Sequence, residues 1–507
     1  MKLLHLILCL ISTLLLSFIY SESAFATTTY MDPTLGSDCT DGNYSVNKKS
    51  CTGSDGNAFN RLQEAIDASK PGDTILVRGG TWSESNIVIR NRSKTADLTV
   101  KAYPGEQPII DNNDYTGAPG DFNKVIYIND TEGVTIDGLE IREWSIGLYV
   151  LSAKNCTIRN NKIHDMWSYC LAVQKSPGTT IEDNDIYRGI WRKELTGKVG
   201  GGIVVLHYDN SGTIVRRNKI HDSYWEGMNV GRCTENIIVE YNIIYGNFEA
   251  QLYILNNRNI IARYNLIYGT PGSNPSRGGY GPGIWLSMES HEECPSDYFN
   301  GHHKIYGNLV ANTSANLWVT AQKDASGNSY PIIDTEVYNN TFISGRDVDV
   351  RYREHIGEGH IFKNNIIWSN GAGDITINTP SEKIDADYNL WSKKPNAAFI
   401  GPNDSDYGVP NFKKMTGWSN LKDDELDGSE FSISDDSFCV NKGIKLDSFF
   451  QKILDVSRSN WKTKTFIFAD QSANGSGWEI GADVAAVNQP TEFVDPPVLK
   501  IKNSASN

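Results

Sequence analysis

The chain has 507 residues, of which 61 are Asp or Glu and 47 are Lys or Arg, so its formal net charge is −14. This acidic balance argues against nucleic acid as a partner, because binding to a phosphate backbone relies on clustered positive charge. It gives no general preference for polyanionic ligands either, although a local basic cleft can override the global charge.

The first 26 residues predict a cleavable export signal. Lys2 supplies the positive start, Leu3 to Ile19 is largely apolar, and Ala24 to Ala26 offers small residues at a cleavage point. These flanks disfavour the alternative of a membrane anchor, and no other stretch is long enough to span a bilayer. We therefore expect a secreted or periplasmic protein, cut after Ala26 and without a membrane span.

A short helix and a long series of strands are expected next. Asn57 to Lys70 has the apolar spacing of an amphipathic helix, which Pro71 and Gly72 would end. From about Thr74 to Ser392, short Ile- and Val-rich runs alternate with polar residues, which is typical of strands.

Nine asparagines recur through this region in the frame apolar-x-x-Asn-x-apolar. They are Asn161, Asn184, Asn218, Asn242, Asn265, Asn308, Asn340, Asn365 and Asn389. Most lie about 23 residues apart, which is too short for a helix pair and suits stacked units of two or three strands. Because parallel strands stack about 4.8 Å apart, the repeated amides can bond from coil to coil. The sequence therefore predicts an all-β parallel β-helix with an internal asparagine ladder.

The motifs of this chain resemble those of the right-handed parallel β-helix superfamily that includes pectate-lyase-like proteins. The resemblance rests on the entry segments 36–42, 59–66 and 71–81, the repeated asparagine frame, and the exit segments 437–443 and 478–482. It implies an N-terminal capping helix and carbohydrate activity as a lyase, a hydrolase or an epimerase. Lyases of this superfamily often use calcium held by clustered acids. We find no compact acidic motif on the strands, so calcium stays possible and no cofactor is certain.

One continuous domain is expected. Its parts are a cap with the first coils over 27–100, the β-helix over 101–395, an irregular C-terminal cover over 396–485 and a loose tail over 486–507. We expect a monomer that binds a polysaccharide or an oligosaccharide.

The cysteines fit an oxidising compartment. Cys39 and Cys51 flank a short polar loop and are the first candidate disulfide, with Cys233 and Cys294 as a second pair. Cys156 and Cys170 lie within strand frames and are expected to be buried thiols.

Three long insertions interrupt the repeat, around 191–202, 271–302 and 323–330. Insertions in a solenoid usually gather on one face, which is often the binding face. They carry charged residues suited to a polar ligand: Lys193, Glu194, Lys198, Glu289, His291, Glu292, Lys323 and Asp324.

A column of polar residues is expected beside these insertions. We aligned a second strand set by its paired inward residues, including Ile203/Val205, Val348/Val350 and Ile375/Ile377. Two places after each pair the column contains Ser152, Lys175, His207, Arg232, Asn256, Met288, Ala321, Tyr352 and Thr379. Charged groups do not sit unpaired in a core, so the chain should bend here and turn them outward.

This column predicts a polysaccharide lyase that acts on a uronate glycan by β-elimination. Arg232 would neutralise a substrate carboxylate, while Lys175 or His207 would remove the adjacent proton. Further substrate-binding candidates are Asn256, Tyr253, Trp285, Trp318, Glu289 and Arg351. Tyr149, Tyr253, Trp285 and Trp318 form an outward aromatic column that suits either sugar stacking or packing under loops.

Two other functions stay open. A glycoside hydrolase would use two carboxylates, for which Glu289, Glu194 and Asp349 are candidates. A non-catalytic surface or adhesion protein would use the repeats alone. The pairs His164-Asp165 and His221-Asp222 occupy one frame position in different coils, so we interpret them as repeat filling and not as catalytic pairs.

Overall fold

The computed structural model describes residues 26–113, 122–190, 202–270, 281–289, 294, 299–321, 330–353, 356–369, 374–377, 384–395, 399–404, 410–413, 426–473 and 477–483. The export signal before Ala26 and the tail after residue 485 lie outside these residues, as do most of the three insertions.

Within the described residues, three long parallel sheets run side by side along a solenoid, and each coil contributes one strand to each sheet. Sheet A contains, in spatial order, Ala58–Phe59, Thr28–Met31, Thr74–Val77, Thr99–Ala102, Thr135–Asp137, Thr157–Arg159, Thr180–Glu182, Ile214–Arg216, Ile238–Glu240, Ile261–Arg263, Lys304–Tyr306, Glu336–Tyr338, Ile361–Lys363 and Asp385–Asp387. Sheet B contains Gly80–Trp82, Pro108–Asp111, Glu140–Arg142, Lys162–Met166, Asp185–Gly189, Lys219–His221, Ile243–Tyr245, Leu266–Tyr268, Leu309–Ala311, Thr341–Ile343, Ile366–Trp368 and Leu390–Trp391. Sheet C contains Ile87–Arg90, Lys124–Asn129, Ile146–Leu151, Leu171–Gln174, Val204–His207, Glu226–Gly231, Ala250–Leu255, Ile284–Met288, Ala315–Ala321, Val348–Tyr352 and Asp374–Ile377. The predicted parallel β-helix is confirmed.

Short elements accompany the three sheets. Asn300–Gly301 pairs in parallel with Ile332–Ile333, and Lys452–Leu454 pairs antiparallel with Phe468–Asp470. The α-helices are Leu62–Ala68 and Arg92–Thr95, and the 3-10 helices are Ser429–Phe431, Ser448–Phe450 and Gln471–Ala473.

The N-terminal helix is shorter than the sequence predicts. It covers Leu62–Ala68 instead of 57–70, because Ala58–Phe59 pairs with Thr28–Met31 as a strand of sheet A. Its buried residues Leu62 and Ile66 belong to the same apolar core as the sheets.

The asparagine ladder is confirmed at the turn between sheets A and B. Each side-chain oxygen accepts hydrogen bonds from the backbone N–H and the amide of the asparagine one coil earlier, as Asn242 does from Asn218 at 3.0 Å for both. The ladder begins where Leu139 N–H donates to Asn161, and it ends where Asn389 N–H donates to the carboxylate of Asp404. The bonding satisfies a row of buried amides, which would otherwise cost free energy on burial.

The C-terminal segment lies along the side of the solenoid. Its buried aromatic residues, including Trp461 and Phe468, pack against tyrosines on the outer face of sheet A. The Trp461 indole donates to the Tyr264 carbonyl oxygen at 2.9 Å, although 197 residues separate the two in sequence. Phe399 instead joins the interior core at the last coils.

Both proposed disulfides are present, between Cys39 and Cys51 and between Cys233 and Cys294. Cys156 and Cys170 are buried free thiols, as the sequence predicts. Because disulfides persist mainly in oxidising environments, this pairing indicates an extracytoplasmic location. In the part of the chain that the structure describes, no helix has the length and apolar character of a membrane span.

Candidate functional site

The outer face of sheet C ends in a turn that repeats from coil to coil. The residue after the strand is in the left-handed region at Lys175, Tyr208, Arg232 and Asn256, with φ values of 51°, 64°, 55° and 52°. Left-handed backbone at one register reverses the chain direction there, so the predicted bend is confirmed. We call these four residues the turn column.

His207 does not belong to the turn column, which corrects the alignment made from the sequence. It is the last residue of its strand and pairs with Gln174 and Gly231. Val204 and Leu206, not Ile203 and Val205, align with the inward residues of the neighbouring coils. The error is a one-residue slip, which moves every side chain to the other face of the sheet. Tyr208 therefore takes the place assigned to His207.

A second misalignment concerns the last two strands of sheet C, where the predicted inward pair is displaced by two residues on the first and by one residue on the second. The inward residues of strand Val348–Tyr352 are Val350 and Tyr352, because they pair with Leu317 and Val319. Thr376, and not Ile375 or Ile377, pairs with Val350 on the last strand. Tyr352 is consequently buried in the core and is no part of the turn column.

A second ladder beneath the turn column holds it in place. Ser176 N–H donates to the Asn210 side chain at 3.0 Å, and Asn210 N–H donates to the Thr234 hydroxyl at 3.2 Å. These residues are buried, and they follow Lys175 by one position and Tyr208 and Arg232 by two positions. The column residues are therefore displayed by a rigid turn. The sequence contains these polar residues after three strands of sheet C, but they were not identified from it as a second repeat.

Tyr208 links the two cations of the turn column. The Arg232 guanidinium donates to the Tyr208 hydroxyl with an N–O distance of 3.2 Å. The Lys175 ammonium lies 5.8 Å from the centre of the Tyr208 ring. Lys175 is exposed, while Tyr208 and Arg232 are half-buried. Three successive coils thus place a lysine, a phenol and an arginine in contact on one edge of the sheet.

His207 lies beside this group but is only 6% exposed. Its Nε2 is 3.0 Å from the Asn229 side-chain oxygen. Burial lowers the pKa of His207 to about 4, and the nearby positive charge of Arg232 lowers it further while the bond to Asn229 opposes the shift. His207 is therefore neutral at pH 7 and is a weak proton acceptor there.

Glutamates lie at both ends of the strands of the same sheet, with Glu226 and Glu249 at strand starts and Glu289 directly after strand Ile284–Met288. Glu226 begins its strand and is 7% exposed, and its Oε2 atom has no hydrogen-bond partner among the described residues. Burial, followed by the negative charges of Glu249 and Glu289, raises the pKa of Glu226 to about 7. The Tyr253 hydroxyl donates to Glu289. The sequence prediction included Glu289 but missed Glu226. An acidic residue just before the inward residues of a strand is the feature that could have identified it.

The predicted outward aromatic column is confirmed, and its rings pack on one another. The ring centres of Tyr253 and Trp285 are 4.5 Å apart, and those of Trp285 and Trp318 are 4.9 Å apart with an interplanar angle of 12°. Tyr149 lies earlier in the same row and donates to Gln174 at 2.8 Å. Because the ring faces contact each other, the stack forms a continuous apolar floor with partly exposed edges.

The sequence of the β-helix matches known proteins over parts of its length. The family model described as "Right handed beta helix region" matches residues 123–292. Pectate lyase PEL9 of Emericella nidulans is 33% identical over 115 residues, which span 20% of this chain and 28% of that relative. The crystal structure of pectate lyase Pel9A superposes with a TM-score of 0.54 at 15% identity, covering 92% of this chain and 98% of the other.

The chain folds as a right-handed parallel β-helix, and part of its sequence is similar to a pectate lyase. At 15% identity the structural likeness shows the fold alone, and the sequence match covers 28% of the curated relative. Many activities share one fold, so the chemistry of this β-helix has to be argued from its own residues.

Of the described carboxylates first considered for hydrolysis, Asp349 is inaccessible to a substrate. Asp349 is fully buried, where its Oδ1 accepts hydrogen bonds from Gly345 N–H at 2.7 Å and from the Asn316 amide at 2.8 Å, so it cannot reach a glycan. Glu194 lies outside the described residues, as do Lys193, Lys198, His291, Glu292, Lys323 and Asp324.

The described part of this β-helix contains no set of side chains arranged as calcium ligands. There, no group of three or more His, Cys, Asp or Glu side chains is arranged to hold a metal ion. The residues present therefore do not fit a calcium site, and the chemistry below is argued through side chains.

The two His–Asp pairs belong to a stack on sheet B. His164, Tyr187, His221, Tyr245 and Tyr268 follow one another with ring centres 4.6 to 4.9 Å apart. The acids Asp165 and Asp222 bond the Nδ1 atoms at 2.6 and 2.8 Å. This regular stacking favours the interpretation of the pairs as repeat filling.

Proposed function

We propose that this β-helix acts on polysaccharides and that it cleaves a uronate-containing glycan by β-elimination on the outer face of sheet C. The pectate lyase relatives support a polysaccharide substrate. The contact of Lys175 and Arg232 with one tyrosine, on three successive coils, carries the proposal.

Each cation has a separate role. Arg232 binds the uronate carboxylate, because a guanidinium matches the planar geometry of a carboxylate and neutralises its charge. Neutralisation makes the neighbouring C5 proton more acidic. Lys175 removes this proton as the general base. The electrons of the C5–H bond form the C4–C5 double bond, and the glycosidic oxygen on C4 leaves and takes a proton from solvent.

Tyr208 and His207 position these cations. The Tyr208 hydroxyl accepts from Arg232 and its ring supports Lys175, so it fixes their spacing. His207 is buried and neutral, and we assign it to the floor of the site instead of the role of base.

The first test is cleavage of a panel of acidic and neutral polysaccharides, followed by absorbance near 235 nm and by reducing ends. We expect both signals to rise on a uronate glycan, because β-elimination leaves an unsaturated uronate. Lys175→Ala and Arg232→Ala should each lower kcat/KM by about 100-fold or more, while Tyr208→Phe, which keeps the ring, should lower it less.

Lys445→Ala is the matched control, because Lys445 is an exposed lysine on the C-terminal segment. Full activity in Lys175→Ala and Arg232→Ala would contradict the assignment of roles. No cleavage of any member of the panel would favour a non-catalytic binding or adhesion protein.

Hydrolysis by carboxylates is the second candidate, favoured by the buried Glu226. Its raised pKa makes it a proton donor near neutral pH, and Glu289 lies close enough to perturb it. Reducing ends that appear without absorbance near 235 nm, and that are lost in Glu226→Gln, would select this reaction. In either case we propose an exported monomer, with the segment before Ala26 as its signal.

A further inference from the structure

Two arginines that form no ion pair with any described residue lie at the far end of the aromatic stack. Arg351 pairs with Trp318 in the register of sheet C, and Arg353 follows it by two residues, on the same face. Their guanidinium carbons lie 4.6 and 4.9 Å from the centre of the Trp318 ring. Trp285 from the preceding coil covers the other side of that ring. One indole therefore holds two cations side by side.

The nearby charges do not neutralise this pair. Within the described residues neither arginine forms an ion pair, and the buried Nε of Arg351 has no hydrogen-bond partner. Burial, and next the charge of Arg353, lower the pKa of Arg351, whereas Asp347 raises it. Asp347 itself pairs with Arg346 at 3.4 Å. Two unpaired guanidiniums that repel each other gain most from an anion placed between them.

The arginine pair lies on the same face as the turn column. Strand Val348–Tyr352 is four strands beyond strand Glu226–Gly231 in sheet C, which corresponds to about 19 Å at the spacing of parallel strands. The stacked rings of Tyr253, Trp285 and Trp318 fill the interval, with Tyr253 buried and the two indoles partly exposed. A glycan that lies along the solenoid axis on this floor would present one acidic group to Arg232 and another to the arginine pair.

We infer that Arg351 and Arg353 form an anion subsite that binds a carboxylate or sulfate of an acidic glycan, several sugars away from the group held by Arg232. The role given to Arg232 rests on the proposed function. The subsite at Arg351 and Arg353 is tested by ligand affinity, which does not depend on cleavage. It makes the groove selective for extended polymers that carry charge at intervals, and it implies attack within a chain.

The test is calorimetric binding of two probe series to the full mature chain. One series contains oligogalacturonates of increasing length, and the other contains sulfated neutral galactan oligosaccharides of matched length. We expect affinity to rise once the oligomer spans the interval, and to fall by about tenfold or more in the Arg351→Ala, Arg353→Ala double variant, since charge-assisted hydrogen bonds are lost. The Arg351→Lys, Arg353→Lys variant should recover part of this loss.

The matched control is Arg159→Ala, which removes a partly exposed arginine from sheet A and away from the groove. Preference for one series identifies the anion as carboxylate or sulfate. Three outcomes would overturn the subsite. They are unchanged affinity in the double alanine variant, an equal loss of affinity for short and long oligomers, and no binding of either series. Loss of affinity without any cleavage of the polysaccharide panel would refute the proposed function and leave the subsite standing.

Discussion

At the scale of single residues, the outer face of sheet C combines two buried titratable groups, His207 and Glu226, whose pKa values are shifted in opposite directions. His207 and Glu226 are both buried beside the sheet, and burial favours the neutral form of each. The neutral form is the base for histidine and the acid for glutamate. The outer face of sheet C therefore places one neutral imidazole and one carboxyl of raised pKa near the cations Lys175 and Arg232.

Glu226 predicts a specific dependence of stability on pH. Its pKa rises from the ordinary 4.5 to about 7 in the folded protein, so between these values the folded state binds more protons than the unfolded state. Stability is therefore greatest below the unfolded pKa and falls as pH rises through the folded pKa. Glu226→Gln should abolish this loss, and at pH 8 it should stabilise the protein by about 1–3 kcal/mol relative to the wild type.

Thermal melts of both proteins between pH 4 and pH 8 would measure this difference. Glu358→Gln is the control, because it makes the same substitution at an exposed glutamate. If stability depends on pH in the same way in Glu226→Gln and in the wild type, burial does not raise the pKa of the Glu226 carboxyl.

At the scale of the elements, the asparagine ladder predicts a large loss of stability when one of its members is removed. The Asn242 side chain accepts from Asn218 N–H and Nδ2, and it donates to Val215, Glu240 and Asn265. Asn242→Ala leaves buried polar groups without partners on both sides. Each such group costs about 1–3 kcal/mol, so we expect the free energy of unfolding to fall by about 3 kcal/mol or more.

Chemical denaturation would measure this loss. Asn113→Ala is the control, because Asn113 is exposed and lies outside the ladder. A change below about 1 kcal/mol in Asn242→Ala would mean that water or relaxation of the turn replaces the ladder bonds.

The ladder was predictable from the sequence and the register of sheet C was not, for one physical reason. Asparagine is conspicuous in an apolar frame, and its spacing fixes each turn. Ile203 to Leu206 is an unbroken apolar run, and all four residues are fully buried, so no alternation indicates which pair points inward. The side chain after the strand was therefore misassigned to His207, although the bend itself was placed correctly. Tyr208 and Arg353 could be found only once backbone pairing fixed the register.

At the scale of the whole molecule, coils contact only their neighbours, while the C-terminal segment crosses many of them. It bonds Asp183 through Lys464, Tyr264 through Trp461 and Asn364 through Ile444. A solenoid is otherwise close to a one-dimensional array, whose coils gain little from distant parts of the chain. The C-terminal segment therefore couples coils that the three sheets do not connect directly.

This coupling depends on Trp461, which is 2% exposed and donates to the Tyr264 carbonyl oxygen. Trp461→Ala removes a large buried side chain and should cost about 3–5 kcal/mol. Because the C-terminal segment has its own apolar cluster on sheet A, the loss should appear as local opening. Amides of residues 439–473 should exchange faster with deuterium, while ladder amides such as Asn218 and Asn265 should keep their protection. Trp461→Phe, which keeps most of the packing, is the matched control. Uniformly faster exchange in Trp461→Ala would instead show that segment and solenoid unfold as one cooperative unit, in which the groove on sheet C depends on contacts made on sheet A.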